Sequence, residues 1–101
     1  MSKKELTRRL NSVGREVFVE YFDLFKDHAG GIITKEEAIE RLVADKISNE
    51  NGADIRCRNA KLIFEANMEC KAVGMICDNW RETKLSKDTI DKAMELLQDC
   101  P

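Results

Sequence analysis

Four cysteines and a single histidine carry the most reactive side chains of this chain. The cysteines fall at Cys57, Cys70, Cys77 and Cys100, with no Cys-x-x-Cys pair and only His28 to complete a ligand set. Structural zinc sites are built on closely paired ligands, so this spacing argues against one. Cys70 and Cys77 share a helix face but lie two turns apart, ~10.5 Å of rise, too far for a disulfide. The expectation is four reduced thiols serving as small apolar side chains in a cytoplasmic protein. His28 ends a helical stripe, where a helix C-terminus stabilises an imidazolium without any catalytic role.

Cation binding is the second chemistry to weigh. KDHAGGIITKEE, Lys26 to Glu37, is twelve residues long, with Gly31 at its sixth place and Glu37 at its last. A helix–loop–helix calcium loop needs its sharp turn and its bidentate carboxylate at those two places. The first, third and fifth places should supply side-chain oxygens, and they hold Lys26, His28 and Gly30. A positive charge, an imidazole and an absent side chain do not satisfy a hard dication, so calcium is not expected. A poorer copy begins at Asp78, with Trp80 at its third place and Thr89 at its twelfth. Ile33, Thr34 and Glu37 are also what any helix N-terminus wants, so a generic hairpin is the first reading. A degenerate EF-hand-like module without calcium is the further alternative.

Nucleic-acid recognition is the third. Residues 38–66, beginning AIERLVADKISNENG and running into DIRCRNAKLIFEA, have the layout of a DNA-reading helix-turn-helix. Under that alternative Arg56, Arg58 and Lys61 would face the phosphates. Asp54–Arg58 and Lys61–Glu65, however, are i,i+4 pairs of opposite charge, and only Arg56 is left unmatched. The balance of 17 Lys+Arg against 19 Asp+Glu gives a net charge of −2 and no global attraction to polyanions.

Enzyme signatures are lacking. No phosphate-binding Gly-x-x-x-x-Gly-Lys loop, Gly-rich dinucleotide turn, Gly-x-Ser-x-Gly elbow or His-Glu-x-x-His pair occurs. No catalysis, metal, cofactor or small-molecule substrate is expected. The N-terminus has no apolar signal core, and no apolar run approaches the ~20 residues that cross a bilayer.

The elements that would position these groups are helical. Leu6, Leu10, Val13, Val17, Tyr21, Leu24 and His28 recur at spacings of three and four, with Phe18, Phe22 and Phe25 alongside, predicting one long first helix interrupted only by Gly14. Thr34 and Glu37 form a capping box that opens a helix over about 35–45, with Ala38, Leu42 and Val43 inward. Ser48 or Asn49 caps the next, which runs to about Asn67. Ala53, Cys57, Ala60 and Phe64 mark its buried face, and Ile55 and Leu62, nearly opposite, predict a second neighbour. Met68 to Asp78 is apolar on most sides and should be enclosed. NWRETK reads as a loop, and Ser86 caps a last helix that buries Ile90, Ala93, Met94 and Leu97.

The expected fold is therefore all-α, a single-domain bundle of four to five helices over residues 1–101, frayed at about 1–5 and 100–101. With no reactive cluster and generous apolar content, the expected role is non-catalytic binding of another protein, or of a second copy of this chain. Trp80 and Arg81, a loop Trp beside a guanidinium, are the interaction candidates, unless Trp80 instead folds over the helix ends. The helix-turn-helix DNA-binding regulator is the alternative.

Overall fold

The apolar stripe that begins at Leu6 does not run as one rod. In the computed structural model, which describes residues 1–100, it is divided into α1 (Lys3–Val13), α2 (Arg15–Glu20) and α3 (Phe22–Ala29). Gly14 makes the first break at φ +91°, a conformation that side chains disfavour. Arg56 gives that break its purpose: its guanidinium donates to the carbonyl of Val13, left without a helical partner. A Cβ at position 14 would lie 2.7 Å from the same guanidinium, so the glycine both turns the chain and leaves room for the cation. Tyr21 makes the second, gentler break at φ −112°, ψ 25°. Its phenol donates to Asp45 Oδ2 at 2.8 Å, tying the bend to the C-terminal end of the helix over Lys35–Ala44.

Five elements follow the turn at Gly30 and Gly31. Helix α4 (Lys35–Ala44) opens on the expected capping box, Thr34 and Glu37 each serving the other's backbone. Helix α5 (Glu50–Glu65) is capped by Asn49, whose side chain accepts from Gly52 N–H at 2.8 Å, and it ends two residues before the expected Asn67. Helix α6 (Glu69–Asp78) leads into the short α7 (Trp80–Thr83), where a loop was expected, and α8 (Lys87–Gln98) starts at its Ser86 cap. The fold is all-α as expected, but the described residues divide into eight helical segments rather than four or five. The difference is chiefly the fragmentation of the first rod.

Helix α5 is the axis of the molecule. Helices α1, α3 and α4 pack around it, while α6 pairs with α8 and α8 also meets α2. Phe18 lies at the middle of the core, its ring 5.7 Å from Phe22, 6.3 Å from Phe25 and 5.9 Å from Phe64. Buried Thr89 donates to Glu20 Oε1 at 3.1 Å and Lys92 donates to the Glu20 carbonyl at 2.9 Å, locking the start of α8 onto the end of α2.

Several expected faces turn out otherwise. Met94 and Leu97 of α8 are exposed, as is Val43 of α4, and Ile63 fills the inward place on α5 beside Ala53, Cys57 and Ala60. Cys70 and Cys100 are disulfide-bonded, their Cα atoms 5.9 Å apart, which corrects the reading of four free thiols. The pairing of α6 with α8 brings the start of one beside the end of the other, a juxtaposition invisible to sequence spacing. Of the ends expected to fray, Ser2 caps α1 at Lys3 and Cys100 is bonded to Cys70, while Pro101 lies outside the described residues.

Candidate functional site

The outward face of α5 is the most distinctive surface. Asn51, Ile55, Arg58, Leu62 and Glu65, spaced by four and three, are all exposed. Ile55 is 43% and Leu62 40% exposed, so the second neighbour predicted for them is not supplied by the described residues. Polar ties hold both shoulders of this ridge. On the α1 side, Arg9 donates to Asn59 Oδ1 at 3.0 Å and bridges to Glu5 at 3.1 Å. On the α4 side, Asp54 holds Lys35 at 3.1 Å and Arg58 at 3.2 Å. The guanidinium at the centre of the ridge is thus oriented by a carboxylate on its own helix.

A groove of about 710 Å³ runs beside the ridge, between α4 and the first turns of α5. Ile39, Val43 and Ala44 contribute its apolar surface, and Asn51 and Asp54 join it to the ridge.

The three nucleic-acid candidates are not gathered on one surface. Arg56 turns inward to the Val13 carbonyl, Arg58 pairs with Asp54, and Lys61 is half-buried near His28. Helix α5, the second of the helix-turn-helix pair, packs against α1, α3 and α4, and the face it leaves open carries Arg58 beside Asp54 and Glu65 rather than a row of cations. Trp80 is 38% exposed, with the Arg81 guanidinium 5.3 Å from its ring centroid, a cation–π stack at the molecular surface.

His28 is only 6% exposed, and its Nδ1 is buried without a hydrogen-bond partner. Burial lowers its pKa, and Lys61 and Lys35 lower it further, against the opposing Glu36 and Glu65. His28, at the third place of the loop, is thus buried rather than solvent-facing. Glu37 likewise turns to its own helix start, accepting from Thr34 N–H at 3.4 Å and Thr34 Oγ1 at 3.2 Å. The twelve-residue loop is built as a capped hairpin.

Neither unpaired cysteine is poised as a nucleophile. Burial, aided by Asp54, pushes the Cys57 thiol up to about 11, and burial with Asp78 raises that of Cys77. Among the described residues no group of three or more His, Cys, Asp or Glu converges as a metal site. No described helix is long and apolar enough to cross a membrane.

Sequence reasoning placed Ile55 and Leu62 on one helix face, opposite the core residues. It missed that this face is open, because periodicity gives an angle and not a neighbour. No protein-family model matches the chain, and neither a curated protein nor a solved structure shows significant similarity to it.

Proposed function

We propose that this protein is non-catalytic and acts in the cytoplasm by binding another protein through the outward face of α5. The observation that carries the reading is the exposure of Ile55 and Leu62 on either side of Arg58. Two large aliphatic side chains left in water at i and i+7, on a helix otherwise packed on its remaining sides, form a ready contact stripe. Aliphatic anchors around an oriented guanidinium match the composition of protein interfaces, where Arg is enriched and free Lys depleted. The partner class includes a second copy of this chain. Trp80 and Arg81 are a second contact candidate on the same grounds. Unpaired Cys57 and Cys77 fit either redox compartment, whereas the Cys70–Cys100 bond weighs against a reducing one, so the cytoplasmic part of the proposal rests on the sequence reading alone.

The helix-turn-helix alternative asks for an open cationic face, and two of its three cations are engaged within the fold. Capture from native lysate by the wild-type chain and by Ile55→Asp/Leu62→Asp, with circular dichroism on both, tests the proposal. The expected result is a folded variant that loses a protein the wild type retains. Identical captures by both chains, or salt-dependent retention of the wild type on duplex DNA, would overturn the reading.

A further inference from the structure

The groove beside the ridge carries an uneven charge. Glu36, Glu40 and Glu50 stand on its rim, and among the described residues none of the three makes an ion pair. The one lining cation, Lys35, is held by Asp54 at 3.1 Å. Between these carboxylates lies the apolar floor of Ile39 and Val43, one helical turn apart. Over the whole chain, acids exceed bases only as 19 to 17, so this concentration of negative charge is local. The other acidic surface, on α2 and α3, carries Glu16, Glu20, Asp23 and Asp27, but Glu20 there is engaged by Thr89 and Lys92.

We propose that this groove docks a basic amphipathic helix of a partner protein. The proposal rests on the protein-binding reading above and names the partner's chemistry. Two apolar side chains one turn apart would seat on Ile39 and Val43, while flanking Lys or Arg would meet Glu36, Glu40 and Glu50. Burial of the anchors supplies affinity, and the carboxylates select against acidic or neutral helices. Helix α4 has ten residues, about 15 Å of contact, which suits a docked segment of about three turns.

The test uses the full chain, isotope-labelled for amide NMR, and three synthetic peptides of about fourteen residues. One alternates Leu and Lys in helical period, one replaces every Lys by Glu, and one scrambles the Leu–Lys order so that no apolar stripe forms. The expected result is saturable shifts at Ile39, Val43 and Asn51 with the Leu–Lys helix alone. Glu40→Lys/Glu50→Lys should weaken that binding about tenfold, as charged-pair complementarity predicts, and Val43→Asp should abolish the shifts. Equal binding of the Glu or scrambled peptide, shifts centred on residues 16–27, or an unaffected charge-reversed variant would each overturn the proposal. Should a variant fail to fold, the comparison of the three peptides on the native chain decides the matter. Failure here with loss of a captured protein by Ile55→Asp/Leu62→Asp leaves the ridge reading standing and removes only this one. Peptide binding with captures unchanged by that variant does the reverse.

Discussion

At the scale of single residues, His28 is the clearest tension in the fold. Its ring is buried and its Nδ1 lacks a partner, so the neutral form is the one the core tolerates. Its pKa is lowered from 6.5, by burial first and by Lys61 and Lys35 next. Below that ordinary value the unfolded chain takes a proton that the folded chain refuses. The stability due to this group is therefore complete above 6.5 and declines as pH falls, until the folded value is passed. His28→Leu removes the titration. Melting curves of variant and wild type, compared between about pH 7.5 and 5, should show the variant gaining relative stability as the pH falls. Parallel pH profiles would contradict this account of the buried imidazole. Arg56 teaches the complementary lesson. It was the one cation of α5 without a neighbouring acid, and the fold answers with a backbone carbonyl 43 positions away. Nothing local announces such an acceptor.

At the scale of elements, what the sequence disclosed was what local physics decides. Thr34 with Glu37 and Ser86 with Thr89 are caps whose partners lie three residues off, and both form as expected. The division of the first rod was half legible. Gly14 was a visible interruption, but Tyr21 is a good helix-face residue, and its bend goes with a contact to Asp45 on another element. The inward faces of α5 and α8 were legible as angles. Which flank is open depends on where the neighbouring helices stop, and so Met94, Leu97, Ile55 and Leu62 are exposed where burial was predicted. The break at Gly14 yields its own prediction. Gly14→Ala must place a side chain at φ +91° against the Arg56 guanidinium. A loss of about 1–3 kcal/mol in chemical denaturation is expected. A variant as stable as the wild type would mean that α1 and α2 join by some other geometry.

At the scale of the whole molecule, α8 is held on two sides, by α2 through Glu20 and by α6 through the Cys70–Cys100 bond. The bond closes a segment with a sequence separation of 30, for which loop-closure entropy gives about 3–4 kcal/mol. A mild dithiol reductant should expose two further thiols to titration and lower the melting temperature. Cys70→Ser should reproduce that shift and be insensitive to the reductant. Four titratable thiols in the unreduced, denatured protein would contradict the paired arrangement. The bond and the ridge lie on different helices, so the account also expects protein binding at α5 to survive reduction.

The central claim is that the outward face of α5 meets a protein. A photo-crosslinking amino acid introduced at position 55, with position 71 on α6 as control, reports on that face in native cells. The account predicts a discrete protein adduct from position 55 that position 71 does not form and that Leu62→Asp removes. Adducts to nucleic acid from position 55, or no adduct there while position 71 crosslinks as well or better, would contradict it.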